Sequence, residues 1–92
     1  MKDFFVYILC CSDGSYYTGH TDDIEKRLAE HKEKLVDGYT AARLPVKLVY
    51  MQGFGSRDEA FNAERQIKGW SRKKKEALID QNWNELINLS NL

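Results

Sequence analysis

Long apolar runs, internal repeats, flexible linkers and a surplus of either charge are all missing from this 92-residue chain, and each absence removes a class of protein. No apolar stretch approaches the ~20 residues that a membrane-spanning helix needs, and the start, Met1-Lys2-Asp3, carries no signal-peptide pattern. The expectation is a cytoplasmic protein with no membrane partner. Lysine plus arginine and aspartate plus glutamate each number 14, so formal charge cancels. That argues against a strong non-specific polyanion binder, whose affinity comes from neutralising many phosphates. Cysteine occurs only twice, as the neighbours Cys10 and Cys11, a poor geometry for a mutual disulfide and no zinc spacing. Both are expected to be reduced, packed side chains.

What is present is ordinary globular material, 42% hydrophobic and 30% charged. A chain of this length makes one domain, residues 1–92, with a core over about 4–80 and a C-terminal helical segment over 81–92. Phe4 to Cys11 is an unbroken apolar run, Ser12-Asp13-Gly14 a turn, and Tyr16-Tyr17-Thr18 a second β-rich run. A two-residue loop at Asp13-Gly14 would put Tyr7 and Tyr17 on opposite faces. A three-residue loop with left-handed Gly14 pairs Cys11 with Ser15, Leu9 with Tyr17 and Tyr7 with Gly19. Glycine at the third loop position favours this register. Both tyrosines then share one face as diagonal neighbours, and Gly19 leaves an open notch beside Tyr7.

Thr21-Asp22-Asp23 opens a helix that should run to about Val36, with Gly38 just past its end. Ile24, Leu28 and Leu35 form its apolar stripe; His31 falls inside the stripe and Arg27 at its edge. In the following connection, Tyr39, Thr40 and Arg43 either contact a phosphate or cover the sheet edge. Val46 to Gln52 reads as a third strand, and the first strand, apolar on both faces, should be the central one. Gly53-Phe54-Gly55 is a loop. Ser56 and Glu59 form a capping box, and Ala60, Ala63 and Ile67 an inward stripe with Glu64 in its middle. A carboxylate there must pair with a cation, with Arg27 as one choice, bind a metal, or be protonated. Ser71 caps a third helix to about Asp80, and Leu78, Ile79, Trp83, Leu86, Ile87 and Leu89 are expected to pack the C-terminal segment on the core. Arg65, Lys68, Arg72, Lys73, Lys74 and Lys75 make one basic patch, or simply a solvated face.

The fold expectation is therefore α+β, a three-stranded antiparallel sheet flanked by helices in β-β-α-β-α-α order. Tyr7, Tyr17, Arg27, His31 and Glu64 all face inward, a set with the makings of a phosphodiester-cleaving site. Arg27 neutralises phosphate charge, Glu64 holds one hard divalent cation, Mg²⁺ or Mn²⁺, and a tyrosine takes the proton from water. That last role requires the phenol pKa to fall from about 10. His31 orients the tyrosine or relays the proton. Gly19, Arg43, Lys73, Lys74 and Lys75 are candidate substrate contacts.

These residues carry a resemblance over about residues 4 to 80. With Phe5-Val6-Tyr7, Tyr17-Thr18-Gly19, Arg27, His31 and Glu64 in that order, the chain resembles a GIY-YIG nuclease domain of the small stand-alone kind. Neither glycine nor isoleucine precedes Tyr7, and Thr18 replaces the second isoleucine, changes that keep β-prone residues and both tyrosines. The resemblance implies metal-dependent hydrolysis of DNA, with the tyrosine at Tyr7 as base or water activator, an arginine at Arg27 and a metal-binding glutamate at Glu64. With no base-reading element evident, branched, nicked or damaged DNA is the expected substrate, and DNA repair the expected context. The alternative is a module of the same fold that binds nucleic acid or a protein partner without cutting.

Overall fold

Successive side chains of a strand alternate between faces, so a run that is apolar at every position has surface to bury on both sides. Strand β1, Phe4–Cys10, does so at the middle of a three-stranded antiparallel sheet ordered β2-β1-β3, with β2 Tyr16–Thr21 and β3 Lys47–Phe54 beside it. The structure, a computed structural model, describes residues 2–36 and 38–90; Asp37, at the head of the predicted connection, and Asn91 and Leu92, at the end of the predicted C-terminal segment, lie outside it, as does Met1. The helices are α1 Ile24–Lys32, α2 Gly38–Ala41, α3 Arg57–Lys68, α4 Arg72–Ile79 and α5 Trp83–Ser90. No described helix is long and apolar enough to cross a membrane.

Helices cover the sheet on both faces. Val6 and Ile8 pack against Ala60 and Ile67 of α3 and Leu78 of α4, while Tyr7 and Leu9 pack with Ile24 and Leu28 of α1, Leu44 and Val46 on the other side. Tyr7 pairs with Gly19 and Leu9 with Tyr17. Gly14 holds the left-handed turn position at φ 83, and the Cys11 N–H bonds the Ser15 carbonyl at 2.8 Å. This is the three-residue loop expected from glycine at its third position.

The sequence reading and the structure part company around the first helix. Its cap is Asp23, whose side chain accepts from the Lys26 N–H, while Thr21 still belongs to β2. It ends at Lys32 instead of near Val36: Leu35 N–H bonds the Glu30 carbonyl at 2.8 Å and Lys34 N–H bonds His31 at 3.2 Å. That double closure needs a left-handed residue, and Lys34 supplies it at φ 64. Leu35 is consequently exposed, outside the stripe assigned to it. Gly38, expected just past the helix, instead opens the short α2, and Gly53 and Phe54 extend β3 instead of forming a loop.

Downstream the agreement is closer. Ser56 caps α3 through the Glu59 N–H, Gly69 ends it and Ser71 caps α4. Glu64 is buried on the inward face of α3 beside Ala60 and Ile67. In α5, Leu86 packs on the core, but Trp83 and Ile87 are exposed, contrary to the expected packing.

Candidate active site

The hairpin register puts Tyr7, Tyr17 and Gly19 on the α1 face of the sheet, where His31, fully buried, meets them. Tyr7 Oη lies 2.9 Å from His31 Nε2, and His31 Nδ1 lies 2.9 Å from Thr40 Oγ1. Both ring nitrogens are thus engaged by hydroxyls that either donate or accept, and α2 exists at this point of the chain to bring Thr40 to the imidazole. The Tyr17 ring closes the group, 6.3 Å from Tyr7 and edge-on to His31 at 5.1 Å, centre to centre.

Tyr7 itself fills the notch expected at Gly19. A β-carbon there would sit 2.5 Å from Tyr7 Oη and 2.7 Å from Cζ, so the notch is not open to substrate and the phenol lies directly over β2. Gly19→Ala is expected to lower stability by about 1–3 kcal/mol, the usual cost of overpacking, and to break the Tyr7 to His31 hydrogen bond. Urea midpoints and the His31 ring resonances in NMR measure the two effects; unchanged resonances would contradict the contact.

Burial pushes the Tyr7 phenol well above the ordinary tyrosine range, and neighbouring Tyr17 adds to the rise. Arg27 pulls the other way, through its charge and a side-chain hydrogen bond, without reversing the shift. The chain alone therefore does not lower this pKa, which corrects the expectation from sequence. Arg27 also holds Glu30 at 3.1 Å. It does not pair with Glu64.

Glu64 arrives from the other side of the sheet. Only 8% exposed, it meets His20 Nδ1 at 2.8 Å through Oε1 and Lys68 Nζ at 3.3 Å through Oε2. The two halves approach each other around the outer edge of β2. Lys68 links them, with Nζ 5.9 Å from the centre of the Tyr17 ring, and the Glu64 charge reaches the Tyr7 phenol, adding a smaller upward push to its pKa. The five residues that the sequence groups into one converging site thus form two groups, Tyr7, Tyr17, Arg27 and His31 on one face and Glu64 on the other, which corrects the expectation that all five meet around one ion.

The remaining sequence candidates fare differently. Arg43 is engaged with Asp13 at 3.0 Å and the Tyr39 carbonyl at 3.0 Å, and lies over the Tyr39 ring, so it fastens the loop before β3 to the hairpin turn. Lys74 stacks on Trp70 with Nζ 4.2 Å from the ring centre, and Lys73 is exposed. Lys75 lines a cleft of about 290 Å³ with Tyr16, Tyr17, Thr18, Tyr39 and Lys68. Sequence reasoning missed His20 and Lys68 as the partners of Glu64. For His20 a signal existed: it follows Gly19, and strand alternation turns it to the face where α3 packs.

Comparison with known proteins converges on one family. The family model described as the GIY-YIG catalytic domain matches residues 3–77. The chain is 49% identical over 78 residues to a UPF0213 protein of Streptococcus pneumoniae, covering 85% of this chain and 79% of that one. It is similar to the solution NMR structure of a UPF0213 protein from Bacillus halodurans, with TM-score 0.56, 42% identity and coverage of 85% and 83%. A second NMR structure, of a protein from E. faecalis, gives TM-score 0.60, 35% identity and coverage of 88% and 90%.

Proposed function

This chain belongs to the GIY-YIG catalytic domain family, and on that premise we propose that it hydrolyses DNA phosphodiester bonds with one divalent cation, Mg²⁺ or Mn²⁺. Branched, nicked or damaged DNA is the proposed substrate, and DNA repair the proposed setting. The two free cysteines suit a cytoplasmic location. The observation that carries the reading is a phenol hydrogen-bonded at 2.9 Å to a fully buried imidazole on the face that also holds Tyr17.

Glu64 is the residue that would hold the cation. Among the described residues no three His, Cys, Asp or Glu side chains gather at one point. A lone carboxylate fits a hard ion that keeps most of its water better than one caged by protein. Such an ion, when bound, supplies charge neutralisation at the phosphate and a more acidic water. The chain's own residues do the rest. Arg27 sets a fixed positive charge at the reacting phosphate, worth most where water is excluded. Tyr7 Oη, in its ionised form, receives a proton from the attacking water, and His31 Nε2–H donates the hydrogen bond that steadies and orients it. That donation needs the tautomer in which Nδ1 accepts from the Thr40 hydroxyl, so Thr40 fixes the donor.

The test is incubation with duplex, single-stranded, nicked and branched DNAs in Mg²⁺, in Mn²⁺ and in EDTA. Cleavage of the exposed structures is expected with either ion, none in EDTA, and a loss of about 10²–10³-fold in Arg27→Ala. A specific observation favours a second reading, a binder that does not cut: both Glu64 oxygens already have partners, His20 and Lys68, and Tyr7 is held protonated. Binding to the same DNAs with no cleavage in either ion decides for that reading.

A further inference from the structure

The cleft between β2, α2, α3 and α4 has walls of two chemistries. Tyr16, Tyr17 and Tyr39 supply its aromatic lining, and Lys68 and Lys75 its cations. Lys75 is half-buried, and its pKa is lowered first by that burial and then by the charge of Lys68. Two like charges crowded into a partly desolvated cleft are held at a cost, and Glu64 offsets Lys68 alone. An anion between the lysines removes the repulsion. Thr18 supplies an independent sign. It lines the cleft, is only 3% exposed, and its buried Oγ1 makes no hydrogen bond among the described residues, whereas buried hydroxyls are ordinarily satisfied.

We propose that this cleft is a subsite for one unpaired nucleotide of the DNA strand, adjoining the bond that is cut, with its phosphate between Lys68 and Lys75 and its base against the tyrosine wall. The subsite rests on the nuclease reading and gives it a substrate class: a strand with at least one unpaired nucleotide beside the scissile bond. Size and chemistry agree. About 290 Å³ lies at the small end of ligand pockets, suited to one nucleotide and too small for a base pair. A tyrosine face can engage a base only when that base is out of the stack. The cleft shares Tyr17 and Lys68 with the candidate active site, so a nucleotide bound there is held next to Tyr7.

Fluorescence anisotropy with a labelled oligo(dT) of about ten nucleotides, in EDTA so that no strand is cut, tests the subsite. The wild type should bind the single strand more tightly than a blunt duplex of equal length. Lys75→Gln should weaken oligo(dT) about tenfold and make the salt slope shallower by about 0.7, one phosphate contact. Lys47→Gln, the same charge change at an exposed position of β3 on the far edge of the sheet, should weaken it less than about twofold. Thr18→Val should weaken binding while raising the urea midpoint, since an unsatisfied hydroxyl is lost; a purely structural Thr18 would move the midpoint alone. Equal losses in the two lysine variants, or equal affinity for single strand and duplex, would overturn the subsite. So would dTMP competing at concentrations as low as those of the oligonucleotide, which would assign the cleft to free nucleotides. Because binding is read without cleavage, Lys75-dependent binding by a protein that cuts nothing would sink the nuclease reading and leave the cleft, and cutting without Lys75 dependence would do the reverse.

Discussion

Glu64→Gln is expected to abolish DNA cleavage, by about 10³-fold or more, while the protein keeps its fold. The two halves of this prediction come from one feature. Glu64 sits on an α3 face whose other members are Ala60, Ala63 and Ile67, an apolar setting in which a carboxylate is costly to bury. His20 and Lys68 offset that cost, but Lys68 is half exposed, so its pairing with Glu64 is screened by solvent. Glutamine keeps the shape, with its Oε1 accepting from Lys68 and its Nε2–H donating to His20 Nδ1 in the tautomer that leaves that nitrogen unprotonated, so the urea midpoint should stay level or rise, as it often does when a site's polar strain is relieved. A cation, by contrast, needs the full negative charge. Glu64→Ala would lose activity too, but it leaves His20 and Lys68 without their partner and confounds chemistry with folding. Glutamine at this position with cleavage within tenfold of wild type would remove the metal from the proposal.

Glu64 also shows what could be read in advance. Helical spacing alone placed it among small apolar residues, and burial follows from that spacing because α3 has only one face against the sheet. Its partners did not follow, because they depend on which sheet face α3 covers, a matter of topology. Given the hairpin register, alternation assigns Tyr7, Tyr17 and Gly19 to one face and His20 to the other. Register was legible because Gly14 stands where a three-residue loop needs a left-handed residue. At the end of α1 the same logic misleads. The left-handed position is occupied by Lys34, which gives no local sign of it, and Gly38 downstream offers a false stop. Shortening α1 then freed the following segment to fold as α2, and with it came Thr40, the group that fixes His31. The candidate residue types were thus readable, while the groups that orient them were set by a helix end the sequence does not mark.

Dividing the site over an edge strand has a consequence for substrate access. β2 has a neighbour on one side only, so its outer edge is the place where groups from both sheet faces reach solvent together. Tyr7 lies over β2 from one face, and Lys68, beside Glu64, reaches the Tyr17 ring from the other. A phosphate approaching that edge meets Lys68 and Tyr17, with the buried Tyr7 ring 6.3 Å from that of Tyr17. The aromatic and lysine cleft along the same edge extends this approach path toward α4. The proposed activity therefore needs no cavity in the protein interior, which a chain of this size has little core to enclose.

Tyr7→Phe is expected to lower the cleavage rate by about 10²–10⁴-fold, the range for removing a general acid or base. The pH profile tells a base from a merely positioned ring. With burial holding the phenol above its ordinary range, only a small fraction is ionised near neutrality. If Oη is the proton acceptor, the rate should rise about tenfold per pH unit over about pH 6 to 9, and a flat wild-type profile would exclude it. Stability carries the matching sign. A group whose folded pKa is raised contributes fully while both states keep the proton, below about pH 10, and loses that contribution as pH rises from the unfolded value through the folded one. Alkaline unfolding should therefore steepen above about pH 10, by up to about 1.4 kcal/mol per pH unit from this one proton. Tyr16 and Tyr50 are raised by burial too, so the quantity to measure is the difference between wild type and Tyr7→Phe. The variant itself should be about 1–3 kcal/mol less stable near neutrality, because His31 Nε2 is left buried without its hydroxyl. That gap should close above pH 10; a gap constant with pH would mean that the phenol ionises as readily in the fold as outside it.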